Sequence, residues 1–214
     1  MTNTSLTLDA CLEKMPLIAI LRGIKPEEAI PVTDLLFEEG FTIVEVPMNS
    51  PDPLDSIKAI AASYGDRMLV GAGTVMSADA VNAIADVGGR LIVAPHFDPE
   101  VVTAAKARGL YCTPGVQTPS EAFAALKCGA DGLKVFPAEA CPPVVIKAIR
   151  AVLPKDVKVV PVGGISEKNM ADYWKVNANG FGIGSNLYKA GKTLDEIRAA
   201  AKSLVAAANE FMSA

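Results

Sequence analysis

From Pro16 onward the chain alternates short apolar runs, rich in β-branched residues, with amphipathic stretches rich in Ala, Glu and Lys, and the alternation repeats eight times. The apolar runs are Leu17 to Leu21, Phe41 to Val46, Met68 to Val70, Leu91 to Ala94, Leu110 to Thr113, Gly132 to Val135, Val157 to Val160 and Gly180 to Ile183. Helices are expected to open near Pro26, Pro53, Ala78, Pro99, Pro119, Pro143, Glu167 and Leu194. Proline suits a first helical turn because its missing N–H has no partner there. Gly40, Gly65, Gly88, Gly109 and Gly129 recur every 20 to 25 residues, one per unit, and are expected to supply left-handed helix C-caps.

Strands that read as continuous apolar runs must be covered on both faces, and eight equal βα units achieve this most simply by closing into a (β/α)8 TIM barrel. A doubly wound open sheet is the structural alternative, but no glycine fingerprint follows the first strand. Residues 1–214 are expected to form one barrel domain, short for this fold, with no linker or low-complexity run. Leu6, Leu8, Cys11 and Leu12 predict a short amphipathic helix that caps one end. The N-terminal segment lacks the basic start and apolar run of a signal peptide.

Composition narrows the partners. Half of the 214 residues are hydrophobic, 21% are charged and the net charge is -4, so no overall basic character favours nucleic acid or an anionic membrane. Four scattered cysteines without a Cys-x-x-Cys pair read as reduced thiols of a cytoplasmic protein. His96 is the single histidine, which argues against an imidazole-based zinc site; no cofactor is expected.

In a barrel of this kind chemistry sits at the carboxyl ends of the strands. Arg22 follows the first apolar run, Glu45 lies within the second and Lys134 within the sixth. Burial of Lys134 between Leu133 and Val135 would lower its pKa and free a neutral amine to attack a carbonyl. The competing reading is an exposed strand edge or a structural ion pair. Glu45 poses the same question with opposite charge, and as a partner to the amine it would shuttle protons in imine chemistry. Alternate strands of a barrel share side-chain layers, which lets the two face one cavity. Arg22 suits a substrate carboxylate. Thr74, in Gly71-Ala72-Gly73-Thr74, offers a hydroxyl or simply opens a helix.

Two glycine pairs follow the last two strands, in Val162-Gly163-Gly164-Ile165-Ser166 and Gly182-Ile183-Gly184-Ser185. Taken together they predict a phosphate held by backbone N–H groups, although each pair alone is compatible with a tight turn.

These residues carry a resemblance. The stretches 16–23 (PLIAILRG), Val44-Glu45-Val46-Pro47, 71–75 (GAGTV), 133–139 (LKVFPAE) and 161–165 (PVGGI) resemble the 2-keto-3-deoxy-6-phosphogluconate and 2-keto-3-deoxy-6-phosphogalactonate aldolases over almost the whole chain. The resemblance implies a homotrimeric, metal-free class I aldolase that releases pyruvate from a phosphorylated keto-deoxy sugar acid. It implies Lys134 as the imine lysine, Glu45 as the acid/base, Thr74 and Pro95 against pyruvate, and Gly163, Gly164, Gly184 and Ser185 around phosphate. Asn49 and Val162 match the galactonate branch, where the gluconate branch has arginine and threonine. Arg22 would then take the substrate carboxylate. His96 stands where asparagine is usual; the alternatives are contact with substrate or covering the barrel mouth, and the second is expected.

The competing functions on such a scaffold are the C4-epimeric gluconate aldolase, a transferase or isomerase of the thiamin phosphate synthase or ribulose phosphate epimerase type, and a non-catalytic phosphosugar sensor. The transferase and isomerase reactions do not call for an imine lysine, and binding alone gives no reason to bury both Lys134 and Glu45.

Overall fold

The computed structural model describes residues 6–213. Its strands are β1 (Leu17–Ile20), β2 (Ile43–Pro47), β3 (Leu69–Gly73), β4 (Leu91–Val93), β5 (Tyr111–Thr113), β6 (Gly115–Val116), β7 (Gly132–Val135), β8 (Lys158–Pro161) and β9 (Phe181–Ile183). The helices are α1 (Leu8–Lys14), α2 (Pro26–Glu38), α3 (Pro53–Tyr64), α4 (Ala78–Asp86), α5 (Pro99–Ala107), α6 (Pro119–Lys127), α7 (Pro143–Arg150), α8 (Met170–Trp174) and α9 (Leu194–Met212).

All strand pairings are parallel. One sheet runs β5-β4-β3-β2-β1-β9 and another β6-β7-β8. Chain continuity through Pro114 joins β5 to β6, and a single parallel bridge links Val162 to Gly182. The fifth apolar run is thus two short strands. Proline has no N–H to give a ladder, and the Pro114 carbonyl instead accepts from the Lys134 N–H at 3.0 Å.

Helix openings follow local capping chemistry. Ser77, Thr118 and Thr193 accept backbone N–H groups at the starts of α4, α6 and α9, and Thr118 and Thr193 complete capping boxes with Glu121 and Glu196. Gly40, Gly88, Gly109 and Gly129 have positive φ, as expected of left-handed terminators. Gly65 does not: its φ is -61°, and it prolongs right-handed geometry into the turn before β3. The helix expected from Glu167 begins at Met170 instead, because Asn169 folds back on the preceding loop. Its side chain accepts from the Ser166 N–H at 2.9 Å and donates to the Gly164 carbonyl at 2.9 Å, which holds residues 167–169 as turns.

Side chains alternate across each strand, so one set faces the helices and the other the interior. The interior set includes Ile18, Ile20, Ile43, Leu69, Leu91, Val160 and Val162, clustered with Leu8, Cys11 and Leu12 of α1. Thr42 donates to the Cys11 carbonyl at 2.9 Å and Lys158 lies 3.6 Å from Asp9. Helix α1 therefore packs against the amino ends of the strands, away from the ends that bear the polar residues. Met1 to Ser5, the start of the N-terminal segment, lie outside the described residues.

Candidate active site

Glu45 and Lys134 share the interior parity. Glu45 is two residues beyond Ile43 on β2, pairing with Ile20 and Gly71; Lys134 is two beyond Gly132 on β7, pairing with Gly115 and Val160. Both are buried, at 2% and 5% exposure, which removes the exposed-edge reading of Lys134. Missing side chains on β3 leave room for the Glu45 carboxylate and for close packing of β4. On β3 the interior column is Leu69, Gly71, Gly73, and a Cβ on Gly73 would lie 1.9 Å from Glu45 Oε2. One on Gly71 would lie 2.0 Å from the Leu91 carbonyl oxygen.

Burial disfavours both charges. It pushes the Glu45 carboxyl up to about 7, against the opposing pull of Lys134 and then Arg22. It lowers the Lys134 amine below the ordinary lysine value, reinforced by the Arg22 charge and opposed by Glu45. Among the described residues the two form no direct ion pair, and Glu45 Oε2 is buried with no hydrogen-bond partner. A buried acceptor of this kind costs about 1–3 kcal/mol, which a ligand donor or water would relieve. Lys134 Nζ sits 4.8 Å from the Phe136 ring centroid.

Arg22 connects this interior to the surface. It donates to Asn49 Oδ1 at 2.6 Å and to Thr74 Oγ1 at 3.3 Å. Thr74 does not open a helix, since Ser77 caps α4; it holds φ at +56°, a conformation uncommon outside glycine and often met at functional sites. Pro95 is half-buried and its carbonyl abuts Gly115, where a Cβ would come within 2.3 Å. The His96 side chain is exposed, while its carbonyl accepts from Gly115.

A cavity of about 390 Å³ opens beside this group. Arg22, Val162, Gly163, Gly164, Gly184 and Ser185, all singled out in the sequence, line it. Gly163 and Gly164 have φ of +114° and +61°, and among the described residues the backbone N–H groups of Gly164 and Ser185 find no protein acceptor. Such free donors suit an anion. Lys134, Glu45, Thr74 and Pro95 lie outside this cavity's lining, so Arg22 is the residue common to both groups. Residues not singled out earlier also contribute. Lys189 adds a cation, and Glu139 lies across the glycine pair, with Oε2 only 2.2 Å from where a Gly163 Cβ would be. Asn186 donates to the Ile165 carbonyl at 2.6 Å and, with Asn169, ties down the glycine loop. Loop side chains that act through backbone carbonyls leave no periodicity to detect.

A buried amine near a buried acid, next to a cavity with free backbone N–H donors at the carboxyl ends of parallel strands, has the chemistry to form an imine with a ligand carbonyl and to hold an anion. The sequence profile described as "Aldolase: KDPG and KHG aldolase" matches residues 8–200, and the chain belongs to this family. A protein of Rhizobium meliloti (strain 1021), named probable 2-dehydro-3-deoxy-6-phosphogalactonate aldolase, is 50% identical over 192 residues, covering 90% of this chain and 91% of the relative. A solved structure described as native KDPGal superimposes with a TM-score of 0.92 at 44% identity, covering 94% of this chain and 98% of that one. The KDPG aldolase of Legionella pneumophila, solved with pyruvate captured as a covalent carbinolamine, gives a TM-score of 0.83 at 26% identity, covering 92% and 97%.

Proposed function

We propose that this protein is a class I aldolase that cleaves 2-dehydro-3-deoxy-6-phosphogalactonate to pyruvate and D-glyceraldehyde 3-phosphate, with no metal or organic cofactor. The observation that carries the proposal is the joint burial of Lys134 and Glu45, close enough for each charge to act on the other. The neutral Lys134 amine attacks the C2 keto group, and water leaves to give the imine. Glu45 takes the proton from the C4 hydroxyl as the C3–C4 bond breaks, and the bonding electrons pass to the imine nitrogen as an enamine. Protonation at C3 and hydrolysis then release pyruvate. An acid with a pKa near the working pH serves both proton directions.

Thr74 and Pro95 are assigned to the pyruvate end, Arg22 to the substrate carboxylate, and the Gly163, Gly164, Gly184 and Ser185 backbone to the phosphate. We assign Val162 to the wall between them. His96, being exposed, is read as a mouth-covering residue without a chemical step. The preference for the galactonate epimer over the gluconate one is supported by the 50% and 44% identities to proteins named for the former, against 26% for the Legionella enzyme. Asn49 supports it too: it accepts from Arg22 and thereby orients the guanidinium. Retro-aldol rates on the two C4 epimers, followed by coupled pyruvate detection, test the assignment. A faster reaction on the galactonate epimer is expected, and equal rates or the reverse order would refute it.

The bridge between Val162 and Gly182 and the continuity through Pro114 support a closed eight-stranded barrel in one domain, with α1 as its cap. A homotrimer, in the cytoplasm, is part of the same reading. Met76, Phe123, Phe136 and Val144 are large, exposed, and borne on segments that leave the carboxyl side of the strands. Burial of such side chains between subunits would remove them from water. Light scattering should return three times the chain mass; a monomer mass at micromolar concentration would exclude this part.

A further inference from the structure

At the opposite end of the strands, the segments that enter β8 and β9 enclose a second cavity of about 670 Å³. Its walls are the last turn of α7 (Lys147, Arg150), the segment into β8 (Leu153, Lys155), and the end of α8 with the segment into β9 (Trp174, Asn177). That volume lies in the range of about 300–1,000 Å³ typical of small-molecule sites.

Three cations line this space and no carboxylate does. Among the described residues, Lys147 and Lys155 make no ion pair. Arg150 donates to the Val157 carbonyl at 2.8 Å and the Lys155 carbonyl at 3.2 Å, neutral acceptors that fix its guanidinium plane without cancelling its charge. Asp156, on the flank, offsets part of the cost of burying that charge. Trp174 packs against Phe211, with ring centroids 4.9 Å apart, and its indole N–H has no acceptor among the described residues. Charges complementing the α7 dipole would account for Lys147 and Arg150 alone. They do not account for Lys155, which lies beyond the helix, or for a cavity walled by tryptophan.

We propose that this cavity binds a multivalent oxyanion, an organic phosphate or polycarboxylate, separately from the reaction site. Trp174 is the only tryptophan in the chain, so its fluorescence reports on this cavity. Titration of the full-length protein with pyrophosphate, and separately with citrate at matched ionic strength, should give a saturable change for at least one of them. The stronger response identifies the preferred anion class. In Lys147→Ala/Lys155→Ala the affinity should fall about tenfold or more, the loss expected for two charge-assisted contacts. Lys147→Arg/Lys155→Arg should retain binding. Both lysines are exposed, and preserved retro-aldol turnover in each variant would verify the fold. Lys189→Ala, in the other cavity, should leave the signal intact. No response to either anion, an unchanged response in the alanine pair, or its loss in Lys189→Ala would overturn the proposal.

Discussion

Lys134→Met is expected to lose turnover by on the order of 10⁴–10⁶-fold, the scale on which enzymes fail when a covalent nucleophile is removed. Methionine has nearly the same length, and the site is only 5% exposed, so removing a buried charge should leave the fold with equal or greater thermal stability. In the wild-type protein, borohydride added with pyruvate should reduce the imine and leave a three-carbon adduct on Lys134, detectable by peptide mass. The methionine variant should carry none. Turnover in the variant, or a wild-type Lys134 that stays unmodified, would remove the imine from the mechanism.

Glu45→Gln separates amine reactivity from proton transfer. The negative charge of Glu45 is what favours the Lys134 ammonium, so its removal lets burial and Arg22 lower the amine further. Pyruvate trapping should therefore survive, while turnover falls by about 10²–10⁴-fold for want of a proton shuttle. The wild-type profile of kcat/KM against pH should show an ionisation near 7 that is missing in the variant. Stability gives a second reading. The folded carboxyl holds its proton more tightly than the unfolded chain does, so wild-type stability declines as pH rises from the model-peptide range to about 7 and levels off above it. Glutamine does not ionise, and the variant should gain thermal stability relative to wild type at pH 8 more than at pH 5. Unchanged turnover, or the same pH profile in both proteins, would take Glu45 out of the scheme.

Much of this was legible in the amino-acid order, for identifiable reasons. Helix starts at Pro26, Pro53, Ala78, Pro99, Pro119, Pro143 and Leu194 coincide with expectation because proline and capping residues act within one turn. The interior lysine and glutamate stood out because charge inside an apolar run is costly wherever the chain folds. What escaped were local choices that residue type alone leaves open. Asn169 delays α8 by holding the carbonyl of Gly164. Gly65 looks like the other terminators but stays right-handed. The fifth strand breaks at Pro114, where the ladder has nothing to receive. In the site, the cavity's glycines were recognisable in pairs, whereas Glu139 after β7 and Asn186 and Lys189 after β9 reach it without a local pattern.

The seat of the acid/base carboxyl owes its shape to subtraction. Two consecutive inward positions of β3 have no side chain; the Glu45 carboxylate fills the place of one and Leu91 the place of the other, so neither tolerates even a methyl group. Main chain in a strand has no rotamers to change, so the carboxylate rests against a surface that stays the same in every turnover. Latitude for different aldehyde partners must then come from the side chains on the loops that line the neighbouring cavity, and laboratory evolution toward new acceptors should collect its changes there while leaving residues 71 and 73 untouched.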